Sequence, residues 1–254
     1  MKKISTSQKV ILIAFTLFGF VLQAQTYYAD GLIATKNLTV DLTSPDGATP
    51  DGSIGSWYKW NPAIGVTTTA TFTANDDTDG TGNNDGNQAV ISWNAVWPAA
   101  GGDPLKLIQD YKISAEEFNS CQSTTSTATS KTEIEVKLVK PDILKIDSDT
   151  EACASTNATI TLYGTPGAVV NFTVTNSTTT ATSATFGTDG IVNVDVTPNG
   201  NGNIVFTIVN VTFTATQPAP LSSPISYSAT TFTNGTNTVT VNVNKAPVIS
   251  PIQF

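Results

Sequence analysis

The sequence contains no His and no Arg, so all of its 12 basic residues are Lys. The lack of His excludes the Ser-His-Asp triad, the Cys-His pair and any imidazole metal site. Charged residues make up only 13% of the chain, where about 25% is usual. Because Arg is missing and the net charge is −8, the composition also argues against a nucleic-acid-binding surface. These absences predict a protein that is not an enzyme.

The N-terminus is typical of a secretory signal peptide. Lys2, Lys3 and Lys9 precede or adjoin an apolar run over residues 10–22, and Ala24 provides a small residue for cleavage. The run is too short to span a bilayer, which needs about 20 residues. We therefore expect residues 1–24 to be removed. The mature chain would then lie in the periplasm, at the outer membrane or in the medium, with no transmembrane segment.

The rest of the chain is typical of an all-β protein. Short runs of β-branched and aromatic residues alternate with Thr, Asn or Ser, and clusters of Gly, Pro, Asn and Asp separate them. The segment 105–118 has helical composition, but its centre is equally compatible with a strand. The predicted strands span residues 37–42, 56–60, 66–73, 88–93, 111–115, 132–139, 159–163, 169–175, 191–196, 204–214, 225–231 and 238–243.

A change of composition near residues 140–150 indicates a boundary between two domains. Pro141 closes a predicted strand there, and the acidic stretch that follows is typical of a polar hinge. Nearly all charged residues lie before this point. We therefore predict a first domain over residues 25–146 and a second over residues 147–254. Each has about the size of a small β-sandwich.

Both halves carry short motifs on or beside the predicted strands. In the first half they are YKW at 58–60, AVISW at 89–93, YKISAEEFNSC at 111–121 and EIEV at 133–136. In the second half they are AC at 152–153, ITLYGTPGA at 160–168 and GIVNV at 190–194. These motifs resemble those of the Ig-like and PKD-like repeat modules found in secreted proteins of the Bacteroidota. The resemblance implies two tandem antiparallel β-sandwich domains with a non-catalytic role.

The two cysteines depart from the pattern of these modules, in which two Cys often share one domain. Here Cys121 falls in the first half and Cys153 in the second, so a disulfide would have to join the domains. Export makes a disulfide chemically feasible. However, a final strand of about a dozen residues carries the chain about 40 Å from Cys121, and bridged Cα atoms lie within about 7 Å. We therefore favour two unpaired cysteines over a Cys121–Cys153 bridge.

An Asp-rich loop is a candidate calcium site. Asn75, Asp77 and Asp79 alternate ahead of a Gly in the sixth position, which matches the opening of a Ca²⁺ loop, and Asp85 follows. Gly86 occupies the twelfth position, where a bidentate Glu is usual. Two interpretations are open: a weak structural Ca²⁺ site, or a solvated loop in which Asn, Asp and Gly form turns. No other cofactor is expected.

The tryptophans are candidate binding residues, because exposed aromatic rings can stack on sugars. Tyr58, Trp60 and Trp93 fall on the motifs of the resemblance, so packing in a core explains them. Trp57 and Trp97 are left for a surface role. A carbohydrate-binding module that uses these two residues is therefore the alternative function.

The leading functional hypothesis is a non-catalytic exported protein of the cell envelope or surface. The resemblance implies an adhesin-like protein or an accessory component of a surface, secretion or gliding assembly. Its expected partners are envelope or surface proteins, with glycans as the alternative. Neighbouring acids such as Glu133 and Glu135 share one face of a predicted strand, which is typical of a solvent-facing surface rather than of a glycosidase.

Overall fold

The structure is a computed structural model and describes residues 25–31, 39–41, 56–63, 70–74, 88–93, 95–119, 130–200, 202–218 and 222–244. Within these ranges the chain is almost entirely β. The strands of the first half are β1 Gln25–Asp30, β2 Thr39–Asp41, β3 Ser56–Ala63, β4 Ala70–Ala74, β5 Gln88–Trp93, β6 Ile108–Asn119 and β7 Ser130–Val139. Those of the second half are β8 Ile143–Ser148, β9 Glu151–Cys153, β10 Ala158–Gly164, β11 Val169–Thr175, β12 Ser183–Thr185, β13 Ile191–Val196, β14 Ile204–Thr216, β15 Pro224–Ala229 and β16 Thr238–Asn244.

The first half forms two sheets with strand orders β1-β7-β6-β3 and β2-β5-β4. β1 runs parallel to β7, and the other pairs are antiparallel. The sheets meet where Trp93 of β5 packs edge-on against Tyr111 of β6, with ring centroids 4.5 Å apart. Both side chains are buried with Ile113, Val136 and Leu138 in one cluster. This half is therefore a sandwich.

The second half forms a three-stranded sheet, β13-β10-β8, and a larger sheet, β12-β11-β14-β16-β9, with β15 paired to β14. One hydrophobic cluster joins the two sheets, because it contains Ile160 and Leu162 of β10 together with Phe172 of β11 and Phe206 of β14. Phe172 and Phe206 stack with their ring centroids 4.6 Å apart. The inward residues alternate with outward ones along each strand, as in β10, where every second residue is buried. This half is a second sandwich.

Both sandwiches have the strand order of an Ig-like domain, in which sheets A-B-E-D and C-F-G face each other. In the first half β2, β5 and β4 take the places of B, E and D, and β3, β6 and β7 those of C, F and G. In the second half β8, β10 and β13 take the places of A, B and E, and β11, β14 and β16 those of C, F and G. The predicted all-β sandwich fold is therefore confirmed.

The expected polar hinge is a paired strand. The predicted boundary between residues 146 and 147 lies inside β8, whose Ile146 pairs with Leu162 of β10. Only three residues separate Val139, which ends β7, from Ile143, which begins β8, and both are fully buried. A buried strand forms here despite the neighbouring Lys and Asp, because apolar side chains are supplied by Ile143, Leu144 and Ile146. The two halves are thus joined by buried chain.

One hydrophobic core crosses the junction between the halves. Val139 belongs to the buried cluster of the second sandwich, and Tyr28 and Ile108 of the first half pack against that cluster.

The segment 105–118, which has helical composition, forms the end of a 3₁₀ helix, Pro104–Leu107, and then β6. Among the described residues, no helix is long and apolar enough to cross a membrane.

Candidate functional site

The junction is organised around the carboxylate of Asp142, which is 1% exposed. Its Oδ1 accepts hydrogen bonds from the backbone N–H groups of Ile143 and Thr233, both at 2.8 Å. Its Oδ2 accepts a short hydrogen bond from the Thr233 hydroxyl and lies 2.6 Å from Lys140 Nζ. A buried carboxylate is costly unless it is paired and hydrogen-bonded, and here four donors surround it. Asp142 therefore holds the linker to the β15–β16 loop of the second half.

Thr165 fastens the same linker from the other side. Its hydroxyl donates to the Lys140 carbonyl at 2.6 Å and accepts from the Asp142 N–H at 2.9 Å. The Lys140 N–H donates to the Leu107 carbonyl of the first half at 2.9 Å. The backbone polar groups of the linker are therefore bonded to both halves, which leaves no hinge at this point.

The hairpin of β14 and β15, which we call the arm, reaches from the second half to β1 of the first. β14 pairs with β16 over its first four residues and with β15 from Val211 onward. Beyond Thr212, where the pairing with β11 ends, the arm carries the buried residues Phe213, Gln217 and Tyr227. The ring of Phe213 lies 5.7 Å from that of Tyr28 in β1. The arm thus extends the second core onto the first sandwich.

Polar contacts fix the arm to the backbone of Tyr28. Gln217 Oε1 accepts from the Tyr28 N–H at 3.1 Å, and Gln217 Nε2 donates to the Tyr28 carbonyl at 2.7 Å. The Tyr227 hydroxyl donates to the same carbonyl at 3.1 Å. Burial, together with the nearby carboxylate of Asp30, raises the pKa of Tyr227 to about 12. The hydroxyl is therefore held in the protonated form that can donate.

Among the described residues of the larger sheet in the second half, the only charged one is Glu151, which lies on the edge strand β9. β11, β12, β14, β15 and β16 contain no charged residue. Their outward side chains are mainly Thr, Asn and Ser, and several bond across strands. The pairs are Asn171–Asn210 at 2.6 Å, Thr214–Ser226 at 2.8 Å, Thr212–Ser228 at 3.4 Å and Thr207–Thr238 at 3.5 Å. We call this surface the neutral face.

The outer faces of two other sheets carry ion pairs. In the first half Lys137 lies 2.8 Å from Asp110, and that hydrogen bond raises the pKa of Lys137. Lys112 lies 3.7 Å from Glu133, one of the acids that the sequence placed on a solvent-facing strand surface. On the smaller sheet of the second half, Lys145 lies 2.6 Å from Asp147. The acids thus face lysines, and the described residues contain no group of three or more acids or thiols that could hold a metal ion.

Two of the sequence-predicted sites lie partly or wholly outside the described residues. The Asp-rich loop with Asn75, Asp77, Asp79 and Asp85 lies outside them, so its Ca²⁺ site stays a prediction. Cys153 lies exposed in β9, whereas Cys121 lies outside the described residues. Their redox state is therefore also a prediction.

The tryptophans lie in or beside the first sandwich. Trp93 is 3% exposed and belongs to the core, as its motif predicted. Trp97 is half-buried and packs on the same core, with its ring so close to Gly31 that a Cβ there would approach Cζ2 to 2.5 Å. Trp57 lies in β3 opposite Phe118, and its side chain is outside the described part. Glycan binding by Trp57 and Trp97 stays a prediction.

Comparisons with solved structures return bacterial sandwich domains. The D00-D0 domain of intimin is 12% identical over 82% of this chain and 95% of that one, with a TM-score of 0.42. The Escherichia coli chaperone DraB is 9% identical over 82% and 95%, with a TM-score of 0.27. The Yersinia pseudotuberculosis adhesin InvE is 12% identical over 82% and 56%, also with a TM-score of 0.27.

No protein-family profile matches the chain, and no curated protein matches it significantly. The structural similarities above are weak in both identity and score. The Ig-like description therefore rests on the strand order and on the cores of the two sandwiches.

Proposed function

We propose that this chain is a non-catalytic exported protein that presents two rigidly joined Ig-like modules at the cell surface or within the cell envelope. Its role is adhesin-like, or that of an accessory component of a surface assembly. The signal-peptide pattern of residues 1–24 supports export. The pairing of outward acids with lysines, as in Lys112–Glu133, supports a structural rather than a catalytic use of the charges.

The observation that carries this proposal is the buried junction. Modules that are joined by a flexible linker move independently, whereas here a shared core, the Asp142 network and the arm all hold the second sandwich against the first. Such a unit keeps a fixed distance and angle between its two ends. Fixed geometry is useful to a protein that displays a binding surface or spaces two partners, because it reduces the ordering cost of binding.

Cell fractionation and surface proteolysis test the proposal. In the native cell, we expect the protein to appear without residues 1–24 in the envelope or medium, and an externally added protease to degrade a surface-exposed pool on intact cells. Affinity capture from the envelope with the wild-type chain should then retain specific proteins or glycans. A protein that keeps Met1 and stays in the cytoplasm would refute the proposal.

Small-angle scattering tests the rigid geometry separately. The mature chain should give a single, narrow distribution of interatomic distances that the joined sandwiches reproduce. A broad distribution that requires an ensemble of inter-module angles would contradict the fixed junction.

A further inference from the structure

A β-bulge lies at the centre of the neutral face. Between β11 and β14 the pairing passes from Asn171–Asn210 to Phe172–Ile208, so Val209 has no partner. Ile208 and Val211 are buried, while Val209 and Asn210 follow each other on the outer side. A bulge of this kind re-aims side chains and is enriched beside functional sites. Here the bulge places Val209, which is 47% exposed, next to the side-chain amide of Asn210.

The amides beside Val209 are held in place. Asn171 Nδ2 donates to Asn210 Oδ1 at 2.6 Å, which leaves Asn171 Oδ1 and Asn210 Nδ2 as an acceptor and a donor for other groups. Asn237 fixes the same stretch of β14 from the other edge, because it accepts from the Ile208 N–H at 2.7 Å and donates to the Ile208 carbonyl at 3.2 Å. Donors and acceptors that are already ordered lose less entropy on binding a ligand.

The charge pattern restricts the chemistry of the ligand. The five strands of the neutral face carry no charge, so they offer no ion pair to a charged polymer. They offer hydroxyls and amides, together with the exposed apolar side chain of Val209 at the bulge. The complement of such a surface is an uncharged ligand rich in hydroxyl groups that also has C–H faces.

We propose that the bulge region of the neutral face, formed by Asn171, Thr207, Val209, Asn210 and Thr212, binds a neutral polysaccharide. This inference deepens the proposed surface role, on which it rests, by naming the partner class. The amides and hydroxyls exchange hydrogen bonds with sugar hydroxyls, and Val209 contacts the C–H face of a ring. Each such hydrogen bond contributes little on its own, so a repeating polymer is bound better than a single sugar.

Co-sedimentation of the mature chain with insoluble neutral polysaccharides tests this site. The probes are cellulose, chitin, a β-1,3-glucan and starch, with anionic alginate beads as the charged comparison. We expect at least one neutral polymer to retain the protein, with no loss of binding between low and high salt because no charges take part. Retention only on alginate, retention that disappears in salt, or no retention at all would overturn the proposal.

Matched variants locate the binding surface. Asn171→Ala with Asn210→Ala removes both amides together, and we expect retention on the polysaccharide to fall about tenfold. The control is Thr161→Ala with Asn193→Ala, which removes another hydrogen-bonded cross-strand pair, 2.8 Å apart, from the opposite sheet. Circular dichroism and melting temperature report whether each variant folds, and Val209→Ser gives a second variant that leaves both amides in place. Equal binding by both double variants and the wild type would refute the site.

The failure of this inference can be separated from failure of the proposed function. A protein that is found on the surface but binds no neutral polysaccharide retains its surface role and loses this site. If affinity capture retains a protein whose binding depends on Asn171 and Asn210, the neutral face is a protein-binding surface and the polysaccharide proposal is wrong.

Discussion

The side chain of Gln217 pairs with the backbone of Tyr28 as a neighbouring strand would. Gln217 Oε1 accepts from the Tyr28 N–H at 3.1 Å and Nε2 donates to its carbonyl at 2.7 Å, across 189 positions of sequence. β1 is an edge strand of its sheet, and an exposed edge invites pairing with other chains. A single amide from the arm therefore protects the edge of the first sandwich and attaches the second sandwich to it.

Gln217→Ala should loosen this attachment. The substitution leaves the Tyr28 N–H without a partner in a partly buried place, which costs about 1–3 kcal/mol of unfolding free energy. Denaturant unfolding measures that loss, and amide hydrogen exchange should show faster exchange at Tyr28.

Gln217→Glu is the matched variant, since it keeps the acceptor for the Tyr28 N–H and loses the donor to its carbonyl. We expect it to be destabilised near neutral pH and to recover part of the loss in acid, where a protonated carboxyl donates again. Unchanged exchange at Tyr28 in both variants would show that the arm does not hold β1.

Asp142→Ala should be among the most destabilising substitutions in the chain. It leaves two buried backbone N–H groups and the Thr233 hydroxyl without their acceptor, and it removes the anionic partner of Lys140, whose ammonium keeps the Thr233 oxygen. Removing one partner of a buried ion pair costs about 3–5 kcal/mol. The control is Asp147→Ala, which removes an exposed pair with Lys145 of the same 2.6 Å length and should cost far less, because solvent screens that pair. Similar losses in the two variants, measured by denaturant unfolding, would mean that the junction is not specially stabilised.

The sequence predicted several strands of six or seven residues well, because their alternation is local and long enough to detect. The predicted bounds of β5, β11 and β13 are those of the structure. β9 and β12 were missed because three residues carry no measurable period. β8 was interpreted as a hinge because of its acidic neighbours, although Ile143, Leu144 and Ile146 carry the apolar signal of a strand. β1 was missed because a short strand that pairs in parallel depends on a distant partner.

The features of the candidate sites could not be predicted in the same way, because they join residues that are far apart in sequence. The Asp142 network depends on Thr233 and the arm contact on Tyr28 and Gln217. The bulge at Val209 is defined by the pairing of β14 with β11, which are separated in sequence. One signal was present: IVFTIVNVTFTAT shifts its alternation at Val209 and Asn210, which is how a bulge appears in a sequence.

Gly190→Ala should disturb the contact between the halves. Gly190 has a φ of +74°, and a Cβ there would approach both the Gly164 carbonyl oxygen and Pro104 Cβ of the first half to 2.5 Å. The control is Gly200→Ala, because Gly200 has nearly the same φ, +77°, with open space around it. Backbone strain alone costs about 1–2 kcal/mol, and the added overlap at Gly190 costs about 1–3 kcal/mol more. Equal melting temperatures for the two variants would show that Pro104 and the Gly164 carbonyl can move away from the added methyl group without a measurable loss of stability.

The stability of the protein should fall in alkaline solution as the Tyr227 hydroxyl ionises. Its pKa is about 12 in the folded protein and about 10 in the unfolded chain, so the folded state binds more protons between these values. The contribution of Tyr227 is therefore fully present below pH 10 and is lost as the pH rises toward 12. Tyr227→Phe lacks the bond to the Tyr28 carbonyl and should be less stable at pH 8, but its unfolding free energy should fall less from pH 10 to 12. If urea unfolding across that range gives the same decrease in unfolding free energy for the wild type and the variant, ionisation of Tyr227 does not cause the loss of stability.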